Sequence, residues 1–171
     1  EAAIVHTPAD LYTPDAPRLS ELERMGEKSA ANVVEAIEAS KRRPLARFVY
    51  ALGMHHVGEE VAKILAGFFG SARALLEERD WDALIAEKEN IQKENTRRRN
   101  RGEPLLEPLL PGVGPEILES VANFLRQPHN REVIESLLAR GVQPEDPAPA
   151  PRTTGRLAGK TFVLTGTLPQ L

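Results

Sequence analysis

Two groups of residues in this sequence have a type and a spacing suited to holding an anion. The first is a basic stretch. From Lys41 to His56 stand Lys41, Arg42, Arg43 and Arg47, with His55 and His56, and no acidic residue. The second is a set of glycines, Gly26, Gly58 and Gly114, each at the same place in a recurring pattern. The first N–H groups of a helix have no partner within it, and the aligned peptide dipoles leave partial positive charge there. A phosphate oxygen can accept from those groups if the backbone can come close. Glycine, lacking a Cβ, permits both the tight turn and the close approach. Such a contact touches the sugar–phosphate chain and not base edges, so it predicts binding with little sequence preference.

Gly112-Val113-Gly114 followed by Pro115 fits this chemistry completely, with Val113 buried between two helices and proline at a favoured first helical position. In the other two copies Arg24 and His56 stand where the first glycine belongs. That weakens a main-chain approach, although either side chain could reach a phosphate itself. Lys28, Ser29 and His55 are further candidates. Glu27, Glu59 and Glu116 fall in the first helical turn, where they favour the dipole by ~0.3–1 kcal/mol. The same charges repel a phosphate unless they point aside.

Covalent and metal chemistry find little footing. The chain has no cysteine, hence no disulfide, no thiolate zinc site and no thiol nucleophile. His129-Asn130 reads as a helix start rather than an acid–base pair. Gly155 to Thr161 nearly spells a phosphate-binding P-loop, but the spacing is one residue short and a strand follows where a helix is needed. Leu110 to Gly114 is similar to hairpin DNA glycosylases, which need an aspartate shortly downstream; none occurs between Gly114 and Asp146. No catalytic residue and no metal site is expected here.

The elements that must position the glycines follow from an internal repeat. With each glycine as zero, apolar side chains stand four before (Leu22, Met54, Leu110) and one before (Met25, Val57, Val113). They stand again at plus four (Ala30, Ala62, Leu118), plus seven (Val33, Leu65, Val121) and plus eleven (Ile37, Phe69, Leu125). That spacing is one face of a helix. Each unit therefore reads as short helix, tight turn, longer amphipathic helix. The third carries an insertion, about residues 86–108, after a helix beginning near Trp81; it extends that helix or forms a loop. Its Arg97 to Arg101 run is either a nonspecific DNA contact or a solvated charge cluster. Pro44 ends or kinks the helix of the first unit.

The compact part is expected over residues 1–142, a stiff proline-rich linker over 143–155, and an incomplete strand segment over 156–171. Net charge is −3, with 41% hydrophobic and 27% charged residues. A local basic stretch can still bind phosphate, so the total predicts modest affinity rather than a strongly basic clamp. No apolar run is long enough to cross a bilayer. The expectation is a cytoplasmic monomer, since no long heptad seam is present.

Leu22 to Ala30, Ala36 to Lys41, Arg43 to Arg47 and Ala51 to Glu59 resemble the helix-hairpin-helix domain of bacterial NAD-dependent DNA ligases. Pro128 to Glu132 resembles the segment after the last hairpin, and Leu157 to Leu168 the opening strand of the BRCT domain that ends those ligases. The resemblance implies a mostly α fold of tandem helix-hairpin-helix repeats, RuvA domain 2-like, followed by a linker and a truncated BRCT start. It implies a module that lies on the minor groove of nicked double-stranded DNA beside the other ligase domains, near the bacterial nucleoid. The intact enzyme would seal nicks in replication and repair, passing AMP from NAD through a lysine to the 5′-phosphate. NAD, magnesium and zinc are implied for the intact enzyme and no cofactor for this chain, which lacks the adenylated lysine and would not ligate alone. The family's domain has four hairpins, and Glu1 to Tyr12 would be the remnant of the first. The duplex-binding residues expected are Arg24, Gly26, Lys28, Ser29, Lys41, Arg42, Arg43, Arg47, His55, His56, Gly58, Gly112, Val113 and Gly114. The alternative is a protein-interaction or interdomain scaffold of helical repeats that does not grip DNA.

Overall fold

The computed structural model describes residues 5–13, 16–78 and 80–147. The expected strand at 156–171 and most of the linker lie outside the described residues. Among the described residues the chain is helical and no strand forms, so the mostly α expectation holds.

The three units are where the repeat puts them. Unit one is α1 (Ala16–Ser20) and α2 (Glu27–Ser40); unit two is α3 (Leu45–Ala51) and α4 (Glu59–Phe69). A short α5 (Ala72–Glu77), capped by the Ser71 hydroxyl, leads to α6 (Trp81–Arg101), whose N-cap Asp80 accepts from the Ala83 N–H at 3.0 Å. Unit three is the first part of α6 with α7 (Pro115–Arg126), and α8 (Pro128–Ala139) closes the fold. Asn130 caps backward, its amide donating to the Phe124 carbonyl at 2.9 Å.

The insertion resolves as the first of its two expected forms. It prolongs α6 into an arm, and the chain returns through Glu103 to Leu109 to reach the third turn. Asn95 pairs with Leu106 through both its amide and its carbonyl group, at 3.0 and 2.7 Å, and Arg98 donates to the Pro104 carbonyl at 3.1 Å. Where the return meets the core, Lys88, only 4% exposed, donates to the carbonyls of Leu109 and Leu110. Burial pushes its ammonium below the usual lysine range.

The core lies between units two and three. Leu45, Leu65, Leu118, Val121 and Ile134 are its most enclosed side chains, and Trp81 joins it with its ring 5.4 Å from that of Phe69. Unit one departs from the expected pattern. Leu22, the counterpart of the buried Met54 and Leu110, and Val33, the counterpart of Leu65 and Val121, are 39% and 37% exposed, and Ala30 alone in α2 is buried. The periodic face is present and covered at Ala30, but Leu22 and Val33 stay partly open among the described residues.

A second, smaller cluster attaches the beginning of the chain. Ala9, in a 3₁₀ turn at Pro8–Tyr12, packs against Leu137 of α8 and Val142. Asp10 accepts from the His6 and Thr7 N–H groups and pairs with Arg140 at 3.1 Å; the Thr7 and His6 bonds, then the guanidinium, hold its carboxyl below the usual range. The start of the proline-rich stretch is also fixed. Gln143 donates to the Lys41 carbonyl, Glu145 to that of Arg43, and Leu45 to that of Glu145, a short parallel pairing around Pro44.

Candidate nucleic-acid interface

The three turns are one structure repeated. In each, the N–H of the residue before the glycine donates to the carbonyl three residues back: Met25 to Leu22, Val57 to Met54, Val113 to Leu110, all at 3.0–3.1 Å. The residue two before the glycine has a left-handed backbone each time: Arg24 at φ 66°, His56 at 63°, Gly112 at 85°. Only glycine takes that region freely; another residue is disfavoured by roughly 1–2 kcal/mol. Arg24 and His56 therefore do not break the pattern. They hold the same turn under strain, with Arg24 fully outward and His56 exposed beside His55, the two rings 3.8 Å apart.

The glycines themselves are N-caps of the same extended kind. Gly26, Gly58 and Gly114 have φ of −81°, −82° and −81°, and no side chain caps the helix that follows. The first-turn amides are thus left to solvent or a ligand, except where Ile117 donates back to the Gly114 carbonyl. An added Cβ at Gly26 or Gly58 would meet nothing within 4 Å, and at Gly114 only a Glu116 carboxylate oxygen at 4.0 Å. Folding does not demand glycine at these three positions.

Units two and three face each other reciprocally. Gly112, two before its glycine, sits against Ile64, six after the glycine of unit two; a Cβ there would lie 3.3 Å from the Ile64 side chain. In return the carbonyl of His55, three before its glycine, accepts from Ser120, six after the glycine of unit three, at 2.8 Å. Each turn thus rests on the middle of the other's long helix, and the two turns are held as a pair. The corresponding residue of unit one, Asn32, is exposed. The mouth of α2 lies 14 residues, about 20 Å of helix, from the end tied to the rest. The structure therefore brings two of the three expected turns together and leaves the third apart.

The remaining expected residues divide by what they touch. Val113 is buried and its N–H is taken by Leu110, so it supports the turn and offers nothing outward. Lys28 and Ser29 are exposed on the first turn of α2. Lys41 is mostly covered and bonded to Glu38 at 2.6 Å. Arg42, Arg43 and Arg47 are exposed and have no carboxylate within 4 Å among the described residues. The arm differs. Lys93 pairs with Glu89, Arg97 and Arg98 share Glu94, and Arg101 meets Glu103, at 2.9–3.9 Å. Exposed pairs of this kind contribute little to stability, but they offset the charge a phosphate would seek. The connector after α2 and the first turn of α3 are the stronger cationic ground, and both lie within the acid-free stretch from Lys41 to His56.

Lys88 escaped the sequence reading. It lies inside a polar run that looks solvated, and only the return of the arm shows that it fastens Leu109 and Leu110, the latter itself at φ 46°, into the third turn. Among the described residues no group of His, Asp or Glu could hold a metal ion, and no helix is long and apolar enough to cross a membrane.

No family model matches the chain. It is 47% identical over 165 residues to a protein named DNA ligase from Methylococcus capsulatus (strain ATCC 33009 / NCIMB 11132 / Bath). It is 42% identical over 168 residues to another of that name from Alkalilimnicola ehrlichii (strain ATCC BAA-1101 / DSM 17681 / MLHE-1). The matches take in 96% and 98% of this chain, which spans about a fifth of each relative, 21% in both. At that identity over nearly its whole length, the chain is a homologue of one segment of bacterial proteins named DNA ligase.

Proposed function

We propose that this chain is the part of a NAD-dependent DNA ligase that grips duplex DNA by its backbone without reading sequence. The observation that carries it is the reciprocal pair of turns: two uncapped helix mouths, built alike and locked together, with glycine where folding does not require it. Phosphates of nicked duplex would accept from the amides at Gly58 to Val61 and from those of Gly114 and Glu116, since Pro115 has no N–H and that of Ile117 is taken by the Gly114 carbonyl. His55 and His56 stand at the first of these mouths, and Arg43, Arg47 and Arg42 add uncompensated charge nearby. Glu59 and Glu116 are both exposed, and the Glu116 carboxylate, 4.0 Å from where a Gly114 Cβ would stand, must swing away for a phosphate to enter. Nick sealing itself, with NAD, magnesium and zinc, belongs to the other four fifths of the intact protein. The exposed Leu22 and Val33 favour a different role for unit one, packing on a neighbouring part of the ligase.

The test is a salt titration of binding to nicked duplex. Log K should fall linearly with log[salt], by about 0.9 per phosphate neutralised, and the double variant Arg43→Gln with Arg47→Gln should lower that slope by about 1.8. Binding without salt dependence, or none at low salt, would return the chain to a connecting role.

A further inference from the structure

An open cleft of about 670 Å³ lies between the end of α2, α3 and the segment after α8. Its lining includes Tyr12, Lys41, Arg43, Arg47, Phe48 and Tyr50, and none of its lining residues is acidic. Lys41 is occupied by Glu38, whereas Arg43 and Arg47 have no carboxylate within 4 Å among the described residues. The Tyr12 hydroxyl is held 3.3 Å from Ser40, and Tyr50 is 44% exposed. Tyr12 and Phe48 are partly buried against the core, so uncompensated arginines beside one exposed ring, that of Tyr50, make the surface for a ligand that is both anionic and planar. Duplex DNA offers its phosphates but keeps its bases stacked inside; an unpaired nucleotide offers both, through backbone charge and a π-face.

The cleft also borders the start of α4. Arg47 and Tyr50 line it on one side and, on the other, a shallow hollow with Glu59 and Lys63 at the first turn of that helix. A strand leaving a duplex held at Gly58 would pass over these two residues into the cleft. We infer that the cleft binds unpaired nucleotides of a single strand continuous with the gripped duplex. The inference rests on the duplex reading and deepens it: the hairpin mouths take paired DNA, and the aromatic cleft takes a frayed or displaced end.

The 171-residue chain serves for the test, with three fluorescent probes: a fully paired nicked duplex, the same duplex with a tail of about four unpaired thymidines, and oligothymidylate alone. The tail should tighten binding about tenfold in the unaltered chain and in Tyr50→Phe, which keeps the ring. Tyr50→Ala should lose that gain while holding the paired duplex within about twofold of the unaltered chain. No gain from the tail, or an equal gain in Tyr50→Ala, overturns the cleft as the site and leaves the hairpin reading standing. Should paired duplex fail to bind while tailed DNA and oligothymidylate bind through the Tyr50 ring, the cleft stands and the hairpin reading falls.

Discussion

Replacing Gly58 and Gly114 together by alanine separates a ligand-facing glycine from a structural one. At Gly58 (φ −82°, ψ −178°) and Gly114 (φ −81°, ψ 164°) the backbone is one any residue adopts. The new methyl meets nothing within 4 Å at the first site and one carboxylate oxygen at 4.0 Å at the second. Two small effects on stability oppose each other. Alanine is a poorer N-cap than glycine by up to ~1 kcal/mol, and it removes ~0.4–1 kcal/mol of unfolded-chain entropy per site. Urea unfolding should therefore place the double variant within ~1 kcal/mol of the parent. Binding differs, because each methyl stands in the approach to the amides that follow. Losing one charge-assisted hydrogen bond weakens binding by ~1.5–3 kcal/mol, roughly 10- to 150-fold in Kd on nicked duplex. The assay is fluorescence anisotropy at one fixed salt concentration beside the urea curve. Unchanged affinity with unchanged stability would refute the main-chain cradle. Gly112 is unsuited to the purpose: its φ of 85° and the Ile64 contact would mix strain with lost binding.

Arg24→Gly and His56→Gly relieve a left-handed residue and should each raise stability by ~0.5–1 kcal/mol, read as a higher Tm, after allowing for the freer unfolded chain. Lys88→Met leaves the Leu109 and Leu110 carbonyls without their donor and should destabilise by ~1–3 kcal/mol in urea unfolding. Its folded pKa lies below 10.5, so the titration part of its contribution is complete above that value and is lost as pH falls through the folded one; the gap between parent and variant should widen into the alkaline range. Asp10 titrates low, so its hold on the 3₁₀ turn is present above 3.8 and lost as pH falls through its depressed value. Asp10→Asn should abolish that acid-dependent release of Ala9 from α8, followed by NMR shifts of Leu137 and Val142.

The parts of this architecture that were legible in the residues are the local ones. Apolar spacing around three glycines gave each helix its start and its inward face, because a turn and an amphipathic helix are set within a dozen residues. Arg24 and His56 misled, since a side chain that disfavours a left-handed backbone still adopts it when the flanking hydrogen bond and packing demand it. Leu22 and Val33 show the opposite limit. Periodicity reveals that a face is apolar, but not whether anything stands opposite it. Lys88, the Ile64 and Ser120 seats of the two turns, and the pairing around Pro44 all join residues far apart in the chain, and no single stretch carries their signal.

That pairing has a consequence for the order in which the molecule assembles. Gln143 meets Lys41 across 102 intervening steps of chain, and closing a loop of that size opposes folding by about 4 kcal/mol, against about 1 kcal/mol for each backbone hydrogen bond gained. Three such bonds cannot form the contact ahead of everything between them. Units two and three must condense first and carry the two ends together. The seam then closes last and, by the same energetics, opens first, so the amide protons of Gln143 and Glu145 should exchange with solvent long before those of α4 and α7.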